Sequence, residues 1–364
     1  MIKKQILIAT GGTGGHVFPA FSLASYLLKK NYKVKLISDK RGLHYLSDCK
    51  NLNLIKISSS PLIRKNIFIF LFSSSIIFYS IIRSLFYLLF NRPKIIFGMG
   101  GYSSFPICIA ASILRIKFVI YENNLLLGKA NKYLLPFAKK IFVSFKELEG
   151  VPEKYKYKVV EIGNLVREEI INFNKLNNGT HKFDEVKILV LGGSQAAKVF
   201  AEELPQVFEK LKQSKIPIKI YQQCQENQNE KLSVYYQKTK IDHQIFNFTN
   251  NIIKYYSKAN LVITRSGASV LGELINVKIP FITIPLPSSA DNHQYKNALF
   301  HSKKGYGYLL EEKNIKNKLF DLIKSLFEHK SITEKVLSNQ RQHSDKDIYN
   351  NLITEIEDIL NEKN

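Results

Sequence analysis

One carboxylate placed about a turn beyond a cluster of small residues marks the clearest chemistry. In Thr264-Arg265-Ser266-Gly267-Ala268-Ser269-Val270-Leu271-Gly272-Glu273, the apolar run Leu261 to Thr264 breaks at Ser266, Gly267 and Ala268, and a helical run follows from Ser269 to Asn276. Such a break leaves backbone N–H groups at the positive end of a helix dipole, which is a place for an anion. Glu273 is wrong for a phosphate but suits a sugar, because one carboxylate can accept hydrogen bonds from both hydroxyls of a ribose. Pyrophosphate at the helix start and ribose one turn in describe a nucleotide. The same letters also fit a plain α/β turn followed by a surface glutamate.

A second group lies near the N-terminus. Gln5 to Ala9 reads as a buried strand, then come Thr10-Gly11-Gly12-Thr13-Gly14-Gly15-His16 and a helix from about Pro19 to Lys30. Glycines between strand and helix let the backbone approach a phosphate or sugar. His16, with an ordinary pKa of about 6.5, could take a proton from a hydroxyl, or only brace the loop or donate to a phosphate. Val17 stands where a dinucleotide fingerprint needs its last glycine, while Asp39, after the strand Lys33 to Ile37, keeps a dehydrogenase reading open. Gly98-Met99-Gly100-Gly101-Tyr102-Ser103-Ser104 is another glycine turn, placed before a helix from Pro106 to Leu114. Glu122, after the strand Phe118 to Tyr121, is a rival base, with a salt bridge or helix-start carboxylate as its structural alternative. Arg265 could pair with Glu273 or stay solvated, and His293 could simply shape the loop before Gln294. No metal-ligand cluster stands out, so no metal is expected.

These residues need a frame that gathers strand ends and helix starts. Strand, turn and helix recur through Lys94 to Gly98, Phe118 to Tyr121 and Lys140 to Val143, which predicts a doubly wound parallel sheet. After a polar linker, Asn172 to Asp184, the pattern restarts at Lys187 to Leu191 with Gly192-Gly193-Ser194-Gln195. Further strands are expected at Ile218 to Gln222, Gln244 to Phe248, Leu261 to Thr264 and Phe281 to Ile284. The domains are drawn as residues 1–163, 164–340 and a closing helix over 341–364 that packs back on the first domain. From about Ile332 to the end, Ile348, Leu352, Ile356 and Ile359 keep helical spacing.

The totals agree with two globular domains: 364 residues, 45% apolar and 23% charged. Cys49, Cys108 and Cys224 are scattered, which speaks against disulfide or zinc frameworks and fits a reducing cytosol. No signal-peptide cleavage site follows Met1. The net charge of +23, from 53 basic against 30 acidic residues, suits nucleic acid, an anionic membrane or an anionic substrate, and the spread of lysines selects none of them. Ile67 to Phe90 carries Arg83 as its one charge and is long enough to span a bilayer. The strands expected on either side, and Ser73, Ser74, Ser75, Ser80 and Ser84 within it, favour a crossover helix whose greasy outer face rests on a membrane.

In order along the chain, the turn with His16, GMGGYSS, GGSQ, RSGA with Glu273, and Asp291-Asn292-His293-Gln294 with Asn297-Ala298 resemble one family over nearly the whole length. It is the MurG family, the UDP-N-acetylglucosamine:undecaprenyl-pyrophosphoryl-N-acetylmuramoyl-pentapeptide N-acetylglucosaminyltransferases of GT-B fold. The resemblance implies an α/β protein of two doubly wound, Rossmann-like domains facing across a cleft that holds UDP-N-acetylglucosamine. It places Ser194 and the Ala268, Ser269, Val270 and Leu271 backbone near the pyrophosphate, Thr249 beside uracil, Glu273 on the ribose and Gln294 at the sugar. Thr13, Gly14, Gly15, Asn124 and Arg167 would close over the donor. Gly14, Gly15, Gly100, Gly101, Tyr102 and Ser103 would face the acceptor pyrophosphate.

The implied reaction is one inverting displacement that makes a β1→4 link on the undecaprenyl-pyrophosphoryl-muramoyl-pentapeptide (lipid I to lipid II). It needs no cofactor and has His16 or Glu122 as base. The implied location is peripheral, on an anionic cytoplasmic membrane surface of a bacterium, with no nucleic-acid partner. This chain departs from the family pattern. Tyr121-Glu122-Asn123-Asn124 stands where His-Glu-Gln-Asn is usual, Leu165 where proline is usual, Val270 where threonine is frequent, and Ala196 where glycine is usual. Competing readings are another UDP-sugar GT-B enzyme (a lipid glycosyltransferase or UDP-N-acetylglucosamine 2-epimerase), a non-catalytic sugar-nucleotide-binding subunit, and an NAD-dependent dehydrogenase.

Overall fold

The computed structural model describes residues 4–45, 53–58, 66–173, 184–193 and 198–362. Continuous apolar runs become strands buried on both faces, as a parallel sheet covered by helices requires. In the first unit they are β1 (Gln5–Ala9), β2 (Lys33–Ser38), β3 (Asn53–Lys56), β4 (Ile95–Gly98), β5 (Phe118–Glu122), β6 (Ile141–Val143) and β7 (Val159–Glu161). The connecting helices are α1 (Gly14–Lys29), α2 (Lys40–His44), α3 (Ile67–Phe90), α4 (Gly101–Ile113) and α5 (Lys129–Leu134). The short α6 (Glu168–Ile171) leaves this unit. The strands pair in parallel in the order β3-β2-β1-β4-β5-β6-β7.

The second unit repeats the scheme. Its strands are β8 (Val186–Leu191), β9 (Ile218–Gln223), β10 (Asp242–Phe246), β11 (Leu261–Thr264), β12 (Phe281–Thr283) and β13 (Tyr308–Leu309), in the order β10-β9-β8-β11-β12-β13. Between and after them run α7 (Lys198–Gln213), α8 (Asn229–Lys238), α9 (Ile253–Tyr256), α10 (Ala268–Val277), α11 (His293–Lys303), α12 (Ile315–Glu328) and α13 (Lys330–Arg341). Each unit has its own core, one around Leu7, Ile96 and Phe118, the other around Val190, Phe200 and Tyr236. Both strand orders reverse beside the first strand, at β1/β4 and at β8/β11. Ligands of open α/β sheets bind outside the carboxyl ends of such a reversal. The four small-residue turns singled out in the sequence follow these four strands.

Several boundaries differ from the sequence reading. α1 begins at Gly14 and not at Pro19, and α4 at Gly101 and not at Pro106, so each glycine turn includes the first helical turn. Pro19 therefore lies inside α1, where it cannot donate to the carbonyl of Gly15. Asn123 Nδ2 donates to that carbonyl instead, at 3.0 Å. The closing helix is interrupted: after α13 the chain turns through 342–347 and resumes as α14 (Ile348–Asn361). The division between units falls after Glu168 and again after Ser344, not at 163/164 and 340/341. The reason is local, because Asn164, Leu165 and Val166 are bonded to Asp345, Tyr121 and Tyr349, all of the first unit. α14 packs on α1 there, with Tyr349 stacked on Tyr26 at 4.4 Å and Tyr26 donating to Asn350 Oδ1 at 3.1 Å.

α3 is, among the described residues, the one helix long and apolar enough to cross a membrane. Its flanking strands lie in one sheet, β3 beside β2 and β4 beside β1, so it is a crossover and the spanning reading is set aside. Its polarity is inverted. Ser73, Ser80, Ser84 and Leu88 face inward, and Ser80 donates to the Ser58 carbonyl at 2.9 Å. Phe68, Phe72, Phe78, Phe86 and Phe90 face out, with Phe90 84% exposed.

Candidate functional site

At the β1/β4 reversal two turns touch. A Cβ on Gly11 would stand 2.3 Å from Ser103 Oγ, so only glycine lets these turns meet. Ser103 lies in the first turn of α4 with its side chain buried against Gly11. Asp39 accepts from the N–H groups of Gly12 (3.0 Å) and Gly42 (2.8 Å) and pairs with Arg41 at 3.1 Å. A buried carboxylate engaged in this way braces the turn and is not set to read a ribose, which removes the support it lent to the dehydrogenase reading.

His16 is in the first turn of α1, half-buried, at the junction of both turns. Its N–H reaches the Thr13 carbonyl (3.1 Å) and its carbonyl accepts from Thr10 Oγ1 (2.9 Å). The ring lies over Gly100, whose φ of +83° favours glycine and where a Cβ would stand 3.0 Å from His16 Cε1 and Nδ1. Thr13 and Tyr102 are exposed beside it, and Gly14 and Gly15 open the helix without a side-chain cap. Backbone N–H groups and one imidazole thus share an edge.

Glu122 is a different object. It is only 2% exposed, and donors hold both its oxygens: Asn124 N (3.1 Å) and Nδ2 (2.9 Å) on one, Gly128 N (2.9 Å) and Asn131 Nδ2 (3.0 Å) on the other. A base needs an oxygen open to the proton it removes. The helix-start alternative is the one the structure supports, and Glu122 shapes the loop that presents Asn124. Asn123 ties that loop to Gly15, a contact that no spacing in the chain anticipates. Arg167 is half-buried, directly after the segment held by Tyr121 and Tyr349.

At the β8/β11 reversal α10 starts after Gly267, again without a side-chain cap. Leu271 is buried and its N–H already bonds the Gly267 carbonyl at 3.1 Å, so its expected backbone contact is lost, and the helix-start N–H groups are those of Ala268, Ser269 and Val270. Glu273 is half-buried, and Tyr256 donates to its Oε2 at 2.9 Å, which fixes the carboxylate's direction. Thr249 follows β10 and accepts from Asn251 N at 3.1 Å. Gln294 Oε1 accepts from Leu286 N at 2.9 Å, leaving its NH2 as the end to donate to a ligand. The αL residues Asp291 (φ 50°) and Asn292 (φ 55°) precede it, types that tolerate this conformation. Ser194 lies outside the described residues.

Arg265 neither pairs with Glu273 nor stays solvated. It is buried against the Phe200 ring, donates to the Ile284 and Pro285 carbonyls, and pairs with Glu312 at 2.5 Å. It holds the ends of β11 and β12 together. Burial lowers the pKa of His301 to about 4, so this histidine of α11 is neutral at pH 7, with Nδ1 2.7 Å from the Asn297 carbonyl.

Two family models match the chain, the glycosyltransferase family 28 N-terminal domain over residues 6–143 and its C-terminal domain over residues 187–352. Two relatives carry the name UDP-N-acetylglucosamine--N-acetylmuramyl-(pentapeptide) pyrophosphoryl-undecaprenol N-acetylglucosamine transferase. The one from Pelagibacter ubique is 34% identical, covering 99% of this chain and all of its own. The one from Rickettsia canadensis is 38% identical, covering 97% and 99%. The chain belongs to the MurG family of glycosyltransferases. The crystal structure of MurG from Acinetobacter baumannii has the same fold, with a TM-score of 0.76, 24% identity, and coverage of 98% of this chain and 99% of that one.

Tyr121 and Leu165, two of the departures expected from the resemblance, meet at one hydrogen bond. The Leu165 N–H donates to the Tyr121 hydroxyl at 3.1 Å. A proline at 165 would have no hydrogen to offer.

Proposed function

We propose that this protein transfers N-acetylglucosamine from UDP-N-acetylglucosamine to the muramoyl 4-hydroxyl of the undecaprenyl-pyrophosphoryl-muramoyl-pentapeptide, as its relatives are named for doing. The observation that carries the reading is that both strand-order reversals in a MurG-family chain end in small-residue turns, one bearing His16 and the other Glu273. The UDP pyrophosphate meets the start of α10, the ribose hydroxyls bond Glu273, uracil lies by Thr249, and Gln294 and Arg167 reach the donor. The acceptor pyrophosphate meets the backbone of Gly14, Gly15, Gly100 and Gly101, with Tyr102 alongside. The acceptor oxygen attacks the anomeric carbon, the bond to UDP breaks with inversion, and His16 takes the hydroxyl proton. Helix-start N–H groups and Arg167 stabilise the departing diphosphate.

The membrane side belongs to α3. Its outward phenylalanines insert at the interface while exposed Arg83, Arg92 and Lys94 meet anionic headgroups at a bacterial cytoplasmic membrane surface. Arg64 and Lys65, the two basic residues just before α3 in the sequence, lie outside the described residues. Phe68→Ser with Phe72→Ser is expected to lower partition onto anionic vesicles at least tenfold, and unchanged partition rejects this docking face.

The deciding experiment is transfer of labelled N-acetylglucosamine to the lipid-linked muramoyl-pentapeptide in detergent. Product carrying a β1→4 link supports the reading. Protein that binds UDP-N-acetylglucosamine but yields no product, or that yields the 2-epimer, rejects it.

A further inference from the structure

Between β7 and α6 the chain runs from Ile162 to Arg167 without regular structure. Its backbone is nonetheless closely satisfied. The N–H groups of Ile162 and Gly163 both reach the Val143 carbonyl (3.0 and 3.3 Å), and Val166 N reaches Asn164 O (2.7 Å). Asn164 N donates to Asp345 Oδ1 (3.1 Å), Leu165 N donates to the Tyr121 hydroxyl (3.1 Å), and the Val166 carbonyl accepts from the Tyr349 hydroxyl (2.6 Å). Buried backbone groups need such partners, and here three side chains supply what a strand or helix would. Gly163 leaves the room, since a Cβ there would stand 2.4 Å from Asp345 Oδ1.

Tyr121 links this segment to another. Its hydroxyl also meets Ser144 Oγ (2.9 Å) and the Gly163 carbonyl (3.3 Å), while its own carbonyl accepts from Asn131 Nδ2 (3.0 Å). Asn131 also holds Glu122, which orders Asn124. One buried side chain thus joins the two pieces that present Asn124 and Arg167. Burial pushes the Tyr121 phenol above its ordinary range, so the hydroxyl keeps its proton and donates while accepting from Leu165.

We propose that Tyr121 is a positioning residue for the sugar-nucleotide donor, its hydroxyl setting the path of Leu165 to Arg167 and so the place where the Arg167 guanidinium is presented. This rests on the reading that Arg167 contacts the donor. With Asn164 and Val166 still held by Asp345 and Tyr349, loss of the Tyr121 hydroxyl should shift the arginine without unfolding the unit.

The test measures donor KM, kcat and thermal midpoint for wild type, Tyr121→Phe, Leu165→Pro, the double variant and Arg167→Ala. Tyr121→Phe, which strands the Leu165 N–H, should raise the KM for UDP-N-acetylglucosamine about tenfold with kcat at saturating donor changed far less. Adding Leu165→Pro should make it no worse, because no N–H remains to be left unpaired. Arg167→Ala should cost less in the Tyr121→Phe background than in wild type. A lowered midpoint with unchanged donor KM in Tyr121→Phe overturns the proposal, as do fully multiplicative effects of Tyr121→Phe and Arg167→Ala. A wild-type KM in Arg167→Ala instead removes the donor role of Arg167 and overturns the proposal with it, a result distinguishable from an impaired Arg167→Ala beside an unimpaired Tyr121→Phe. If Leu165→Pro does not fold, Tyr121→Phe and Arg167→Ala still decide.

Discussion

Glu122 and Glu273 occupy comparable ground, each near the carboxyl end of a strand beside a reversal, and the chain uses them in opposite ways. Glu122 is buried under four N–H donors and is finished as a hydrogen-bonding group, whereas Glu273 is half-buried, with Tyr256 directing it. The first unit builds its edge from backbone braced by buried carboxylates, Asp39 and Glu122. The second places an uncapped helix start and one half-buried carboxylate, Glu273, at its edge. Residue type says little about which glutamate does chemistry. The four donors aimed at Glu122 say much more about its role.

This contrast can be broken or sharpened by substitution. The largest effect is expected from His16→Ala, with kcat for transfer down about a thousandfold and UDP binding retained. Retained transfer would return the base to another group. Glu273→Ala should follow, raising the donor KM about a hundredfold while the thermal midpoint moves little. Equal losses of donor affinity in Glu122→Gln and Glu273→Gln would erase the distinction between the two. Glu122→Gln is expected instead to destabilise the fold by about 2 kcal/mol, read from denaturant unfolding, because an amide cannot accept from all four donors. The smallest effect concerns His301. Its folded pKa of about 4 lies below the ordinary 6.5, so the unfolded state binds the proton first as pH falls. Stability should be fully present above pH 6.5 and be lost progressively down to pH 4, by about 1 kcal/mol at pH 5.5. His301→Gln should flatten that slope.

Much of the frame was legible because buried parallel strands are continuous apolar runs and each is followed by its turn. Leu7, Val190 and Ile263 needed no context to be placed. The edge strands β3, β7 and β13 were missed, being short and partly polar, as with Asn53 and Lys56. Helix starts were misjudged at Gly14 and Gly101 because glycine and a nearby proline signal a break, while tertiary contacts such as Asn123 to Gly15 keep the turn helical. His16 and Glu273 could be nominated from spacing. The roles of Asp39, Glu122 and Arg265 could not, since they depend on partners far away in sequence, as Glu312 is from Arg265.

The first unit is discontinuous in sequence, and that has a consequence for how the protein is made. Residues through Glu168 leave the ribosome well before α14, yet the face of α1 around Tyr26 is covered by Tyr349 and Asn350 of that helix. The intervening unit, a complete sheet with its own core, can fold while the first one waits with an open flank. Loss of the residues after Ser344 would therefore damage the oldest part of the nascent chain, not the part next to the cut.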